Sequence, residues 1–394
     1  MKKRNIIFYI PDEIIRCNGV FQSQVLEQAR FLNDNGFQCL IVGSDVNKEL
    51  AMETEKMIRD NYGVQACISE SYSDRFPFFS KLRLARKINQ EFWDRIVAFQ
   101  PSHISVRSSI AFESASKIAQ NLHLKLIYDV RGATADQALL TRGKKDVYYY
   151  GLGWLENRTM RKAERISCVS HRMGVWIKEM TGRSDYTVIP CCASHSRCSL
   201  DTDERQRTRE RFGYSPRNKV ICYVGGISKW QKNHNIIRLF KDIYEVSVDY
   251  RFLIISRQKK EVEKMIKNIG LEMRVCYSIS CEQTEVSTYL RACDASIIMR
   301  DDILTNNVSS PVKIGEYLSA GLPLLLTKGI GDMSELIPRE NAGIIIDENH
   351  QPAEQIIKYL SKVKYEEIFA NQQAFVEKHL VWDAYTKEFD KLYS

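Results

Sequence analysis

Short apolar runs alternate with longer amphipathic stretches along almost the whole chain. In the first half the runs are NIIFYI, QCLIVG, VQACIS, HISVRS, LKLIYDV, RISCVS and YTVIP. They are short and rich in β-branched residues, as strands buried on both faces are. Between the first two lies SQVLEQARFLNDNG, where Val25, Leu26, Ala29 and Leu32 recur at helical spacing and Gly36 supplies a stop. The alternation pauses after Pro190 in a charged stretch, DTDERQRTRERFGYSPRN. It restarts with KVICYVGG, YRFLIIS, MRVCYSI, ASIIMR, PLLLT and AGIII. Repeated strand–helix units build parallel sheets covered by helices. The pattern therefore predicts an α/β protein of two doubly wound, Rossmann-like domains facing a central cleft. Residues 1–195 form the first and 196–375 the second. A helical tail over 376–394 can pack back on the first domain.

Composition changes this picture little. The chain has 394 residues, 44% apolar and 27% charged, which suits two ordinary globular cores. A net charge of +8 favours an anionic substrate or an anionic membrane surface and does not demand nucleic acid. The basic start MKKRNIIFYIPDE carries an apolar run only from Ile6 to Ile10, too short for a secretory signal. No stretch reaches the length of a membrane span. The expectation is a cytoplasmic protein, with peripheral contact at the inner face of the membrane as an option. Eleven cysteines without regular spacing then stay reduced. The cluster CCASHSRC (Cys191, Cys192, His195, Cys198) matches no common zinc spacing and reads as a loop, so no metal site is expected.

In open parallel sheets, ligands bind beyond the carboxyl ends of the strands. One stretch there is punctuated as packing alone would not require: SSPVKIGEYLSAGLPLLLTKGIGD, from Ser309 to Asp332. Ser310 suits an N-cap, Pro311 the first helical position and Gly321 the residue after the helix. The free amides and positive dipole end of such a helix attract phosphate, and Lys313 adds a full charge. Glu316 lies on the face of Lys313, roughly 7.5 Å along the axis from Pro311. A carboxylate there can accept hydrogen bonds from ribose hydroxyls while phosphates sit at the tip. An ordinary surface pair of Lys313 with Glu316 is the alternative. Arg300 ends the strand ASIIMR and can take a diphosphate bidentately, or pair with Asp301 or Asp302. Lys229 and Lys232 share a loop after a strand. Gly19 can let backbone approach a ligand. Arg107, Asp129 and Arg131 end strands of the first domain and suit a polar or anionic acceptor, or form a structural ion pair.

The stretch SSPVKIGEYLSAGLPLLLTKGIGDMSELI resembles the nucleotide-sugar signature of GT-B glycosyltransferases, specifically the family-four, or glycosyl transferases group 1, type. GVFQSQVLEQARFLNDNGFQCLIV, YDVRGATADQ, ERISCVSHRM, VIPCC and CYVGGISKWQK are secondary echoes that extend the similarity over most of the chain. The resemblance implies a retaining glycosyltransferase that uses a nucleotide-diphospho-sugar, UDP- or GDP-linked, without a bound cofactor or metal. It implies a glycan or lipid-linked acceptor and a role in cell-surface polysaccharide synthesis. It assigns donor binding to Ser309, Ser310, Pro311, Val312, Lys313, Glu316, Gly226 and Gly19, and catalytic charge stabilisation to Arg300, Lys232 and Lys229. The chain departs from the family pattern at three places. Val308 stands where a first glutamate is common, Gly226 where an arginine is common, and Arg107 where a histidine is common. These departures keep open a non-catalytic nucleotide-sugar-binding relative or partner subunit, and the shared architecture keeps open a nucleotide-sugar epimerase. Arg75 to Phe99, a segment of mixed aromatic and basic residues, is a candidate for contact with a bilayer if the acceptor is lipid-linked.

Overall fold

The structure, a computed structural model, describes residues 4–15, 19–71, 77–193, 202–228 and 230–394. The chain divides into two compact units, residues 1–194 with 382–394, and residues 195–381. The second unit thus runs a few residues past 375, and the last thirteen residues belong to the first unit.

The first unit holds a seven-stranded sheet of β1 (Arg4–Ile14), β2 (Phe37–Asp45), β3 (Gln65–Glu70), β4 (His103–Val106), β5 (Lys125–Val130), β6 (Arg165–Cys168) and β7 (Tyr186–Val188). The second holds six strands, β8 (Lys219–Val224), β9 (Tyr250–Ile255), β10 (Cys276–Ile279), β11 (Ala295–Ile298), β12 (Leu324–Leu326) and β13 (Gly343–Ile345). Each of the thirteen apolar runs contains one strand. The orders are β3-β2-β1-β4-β5-β6-β7 and β10-β9-β8-β11-β12-β13, parallel throughout. In both sheets the chain winds one way from the first strand, then returns and winds the other way. The switch points lie between β1 and β4, and between β8 and β11, where adjacent crossovers leave to opposite sides and open a crevice at the carboxyl ends.

Burial explains the near-continuous apolar runs. On β8, Val220 and Cys222 join the core on one face of the sheet, while Ile221 and Tyr223 join the core on the other. All four are at most 2% exposed, as the side-chain period of two demands when helices cover both faces. In the first unit Val25, Leu26, Ala29 and Leu32 are buried at the predicted spacing, with Gly36 at φ 84° closing the segment. That helix begins with a π-helical turn, Gln22–Leu26, before Glu27–Asp34 continues as α-helix. Strand β1 extends past the predicted break at Pro11, with a register shift between Ile10 and Ile14. At the C-terminus, Trp382, Phe389, Leu392 and Tyr393 enter the first unit's core. Arg165 fastens that end by donating to the carbonyls of Lys391 and Leu392 at 2.8 and 2.7 Å. Among the described residues no helix is long and apolar enough to cross a membrane.

Candidate active site

The site in the second unit is assembled at the carboxyl ends of β8 and β11. The motif helix runs Val312–Ser319, one residue later than a Ser310 cap would start it. Pro311 occupies the cap position in an extended conformation (φ −70°, ψ 121°) and offers no side-chain acceptor. The cap residue itself therefore gives the first amides no side-chain acceptor. The buried face carries Ile314, Tyr317 and Leu318. Tyr317 docks the helix on β8, its hydroxyl accepting the Val224 N–H at 2.6 Å. Leaving that buried amide unpaired would cost about 1–3 kcal/mol. Gly321 (φ 77°) closes the helix as its sequence position predicts, and a Cβ there would lie 2.2 Å from the Phe369 ring. The glycine-rich turn that follows packs under the loop before the helix. A Cβ at Gly331 (φ 47°) would stand 1.9 Å from the Ser309 carbonyl oxygen, so only glycine allows this approach.

Lys313 and Arg300 are the two cations of this crevice. The Lys313 ammonium donates to Gln231 Oε1 at 3.1 Å and to the Tyr223 hydroxyl at 3.4 Å, and lies 4.6 Å from the Tyr223 ring centre. Gly225 leaves room for it, since a Cβ there would approach Lys313 Nζ to 2.7 Å. Arg300, 9% exposed, donates through Nη1 to Ser309 Oγ at 3.2 Å and Asn306 Oδ1 at 3.3 Å. Its buried Nε has no partner. Among the described residues neither cation has a carboxylate within ion-pair distance, and Asp301 and Asp302 bind elsewhere. Asp301 reaches Lys232 at 3.3 Å, and Asp302 accepts from Asn307 at 2.7 Å.

Burial, then the neighbouring Arg300 charge, pushes the Lys313 ammonium down to about 7, with Glu316 pulling weakly the other way. Burial also lowers Arg300, which remains charged. Glu316 is half-buried and accepts from Gln283 Nε2 at 2.8 Å, and burial pushes its carboxyl above the usual range. It makes no ion pair with Lys313, so the simple surface-pair reading of these two residues does not hold.

The other predicted donor residues fall around this pair with unequal prospects. Ser309 is committed internally, its hydroxyl donating to the Asn306 carbonyl at 2.8 Å. Ser310, Pro311 and Val312 are half-buried at the helix start, and Gly226 is exposed with its carbonyl accepting from Tyr223 at 3.3 Å. Lys232 is held by both oxygens of Glu348, at 2.8 and 2.9 Å. Burial opposes its charge, but Glu348 and Asp301 outweigh that and raise it. Lys229 lies outside the described residues. Gly19 starts a short helix, Gly19–Phe21, in the first unit, so it shares no compact unit with the motif helix. Two hubs escape the sequence pattern. Fully buried Asn306 accepts from Arg300 and donates to the Asp301 carbonyl at 2.9 Å. Gln231 receives both Lys313 and Tyr223. The local signal was thin: an Asn-Asn pair after a strand, and a glutamine beside the lysines.

In the first unit Arg107, Asp129 and Arg131 do converge. Arg131 Nε donates to Asp129 Oδ2 at 2.7 Å, and Arg107 Nε lies 3.7 Å from the same oxygen. Asp129 Oδ1 accepts from Ser167 at 2.8 Å. A second carboxylate, that of Glu13, also acts on Arg107. Burial and then Arg131 lower Arg107, whereas Asp129 outweighs burial and raises Arg131. Arg131 also reaches Gln28 Oε1 at 3.4 Å, on the helix that opens with the π turn, a feature frequent at functional sites.

Among the described residues no group of three His, Cys, Asp or Glu side chains could hold a metal ion. Cys191 and Cys192 are buried in the first unit's core region, and His195 and Cys198 lie outside the described residues.

Two doubly wound units, one with a cationic crevice at its switch point, have the architecture of the GT-B class. Residues 204–374, most of the second unit, match the model of the glycosyl transferases group 1 family. Similar solved structures agree over the full length. A glycosyltransferase from Rickettsia africae has a TM-score of 0.72 at 15% identity, covering 100% of this chain and 98% of its own. Anabaena HepE, solved in complex with UDP and glucose, gives 0.71 at 14%, covering 98% of each chain. WaaG, a glycosyltransferase involved in lipopolysaccharide biosynthesis, gives 0.66 at 12%, again covering 98% of each. No curated protein sequence matches.

The low Lys313 value sets a pH dependence. Above pH 7 the free ammonium is largely neutral, and a bound diphosphate favours its charged form. With the donor diphosphate bound at Lys313, binding should take up a proton, so donor affinity is expected to fall as pH rises, by up to about tenfold per pH unit. Calorimetry with a UDP-sugar between about pH 7 and 8.5 should show this slope and a buffer-dependent enthalpy. Lys313→Arg should flatten both. A flat wild-type profile would remove Lys313 from the phosphate site.

Proposed function

We propose that the protein is a retaining glycosyltransferase that moves a sugar from a nucleotide-diphospho-sugar to a glycan or lipid-linked acceptor, in the synthesis of cell-surface polysaccharide, without a bound metal. The observation that carries this reading is the pair of cations, Arg300 and Lys313, at the switch point of the unit that matches the group 1 model, with no carboxylate paired to either among the described residues. Loss of a nucleoside diphosphate builds negative charge on its phosphates. Fixed donors at that place stabilise the transition state more than the ground state. HepE has been solved with UDP-glucose, which supports a uridine donor for this chain as well. WaaG's role supports a cell-surface acceptor. The Arg107–Asp129–Arg131 cluster is assigned to acceptor binding, where its two guanidiniums suit an anionic or hydroxyl-rich group.

A thermal-shift screen against UDP-, GDP-, ADP- and CMP-sugars, followed by product analysis with the best binder, tests the proposal. Transfer with the donor's anomeric configuration kept is the expected result. Binding without turnover would indicate a non-catalytic relative, and an epimerised sugar without acceptor would indicate an epimerase.

Lys232 is assigned to the leaving diphosphate, for which it must exchange Glu348. Lys232→Ala should therefore lower turnover more than donor affinity, and Glu348→Gln should tighten donor binding. If Glu348→Gln instead lowers melting temperature without touching affinity, and Lys232→Ala keeps wild-type turnover, the pair is a structural clamp.

A further inference from the structure

The sequence pointed to Arg75–Phe99 as a bilayer contact; Arg75 and Phe76 lie outside the described residues, and the helix Pro77–Glu91 turns one face inward. Leu84, Ala85 and Ile88 are buried, and Lys87 pairs with Glu70 at 2.9 Å. A different helix of the first unit, Val147–Lys162, carries the unpartnered face. Its inner side is made of Leu152, Glu156, Thr159 and Met160, all buried. Its outer side presents Val147 (89% exposed), Tyr150 (63%) and Trp154 (64%). These positions recur every three or four residues, so they form one stripe, which Arg158 and Arg161 continue. An apolar and aromatic stripe on the outside of a helix is unusual for a soluble surface, where large apolar groups are scattered singly.

We propose that this stripe docks the first unit on an anionic lipid bilayer. Charge complementarity selects that occupant. Arg142, Lys144, Lys145, Arg158, Arg161 and Lys162 surround the aromatics. The acidic groups paired with them are Asp146, bound by Arg142 at 2.6 Å, and Glu113, bound by Arg158 and Lys162. Cations also lie over the rings, with Arg158 5.3 Å from Trp154, Arg142 5.0 Å from Tyr148 and Lys145 5.7 Å from Tyr149. Tryptophan and tyrosine with basic neighbours on one helix face suit the headgroup boundary, where rings sit among glycerol and upper acyl groups while charges meet lipid phosphates. A nucleic acid would use the same cations but has no use for the exposed Val147 aliphatic group.

Glu156, on the inner side of the same helix, accepts the Thr134 N–H at 2.8 Å. Thr134 opens the helix that follows Arg131, so this bond ties the stripe's helix to the chain leaving the arginine cluster. The inference does not depend on glycosyl transfer, and its test needs neither donor nor acceptor.

The experiment is flotation of the full chain with phosphatidylcholine vesicles, with and without phosphatidylglycerol, at low and high salt. Trp154 fluorescence with brominated lipid reports insertion. Binding only to the anionic vesicles, weakened by salt and with Trp154 quenched, is expected. Each basic residue near an anionic surface strengthens binding roughly fivefold, so Lys144→Glu with Lys145→Glu should lower it at least about tenfold. Tyr150→Ala with Trp154→Ala should lower it about tenfold while the melting temperature stays unchanged. The proposal is overturned if wild-type protein ignores anionic vesicles at low salt, or if neither pair of substitutions changes binding. It is equally overturned if sedimentation shows that the stripe mediates self-association, or if the stripe binds single-stranded RNA in place of vesicles.

Discussion

Arg300→Ala should lower kcat by roughly 10²–10³, the range for removing one transition-state donor, while donor affinity changes much less. The reason lies in where the charge sits and what holds it. Arg300 lies two residues past the end of β11, its own N–H fixed by Thr327 Oγ1 at 2.9 Å and its side chain by Ser309 and Asn306. A guanidinium held on neutral groups, with no carboxylate to neutralise it, can respond fully when the leaving diphosphate gains charge. The same hydrogen bonds organise the loop before the motif helix, so alanine could also loosen that loop. Arg300→Lys separates the two effects. It retains the charge but loses the planar fork, and should recover stability more than turnover. Single-turnover rates and donor affinity, with melting temperatures alongside, decide the matter. Wild-type turnover in Arg300→Ala would make the residue structural.

The second large effect is on binding. Glu316→Ala should weaken the nucleotide-sugar by about 1.5–3 kcal/mol, the value of hydrogen bonds to a charged group, or roughly tenfold to a hundredfold. Its carboxylate sits one turn from Lys313 on the motif helix and has Gln283 as its hydrogen-bond partner at 2.8 Å. It therefore retains acceptor capacity for a diol. Glu316→Gln should fall between wild type and alanine, because the amide retains one acceptor oxygen. Gln283→Ala should change affinity little if the glutamine only parks the carboxylate. Calorimetry on the folded variants reads all three, and unchanged affinity in Glu316→Ala would exclude the residue from the site.

Both predictions start from residues that the sequence singled out, and the reason is local. Strand identity depends on short-range apolar periodicity, which burial on both sheet faces makes almost continuous. All thirteen runs therefore hold a strand, and two doubly wound sheets follow from the alternation. The Ser-Pro-x-Lys start, Glu316 and Gly321 were legible because helix ends and left-handed turns restrict residue type over a few positions. The start itself was misplaced, since Pro311 could take the cap position as easily as the first helical one.

Pairings between distant segments were decided only by the tertiary structure. Lys232 and Lys313 look equivalent as isolated lysines. Folding brings Glu348 to the first, and Tyr223 and Gln231 to the second. One is consequently neutralised, while burial leaves the other poised near neutrality. Asn306 and Gln231 carry no pattern of their own, because a hydrogen-bond hub is defined by what surrounds it. The outward stripe of Val147, Tyr150 and Trp154 had the same periodicity as a core face. Sequence shows that a helix has a face, but only packing decides which face meets the protein and which is left to meet something else.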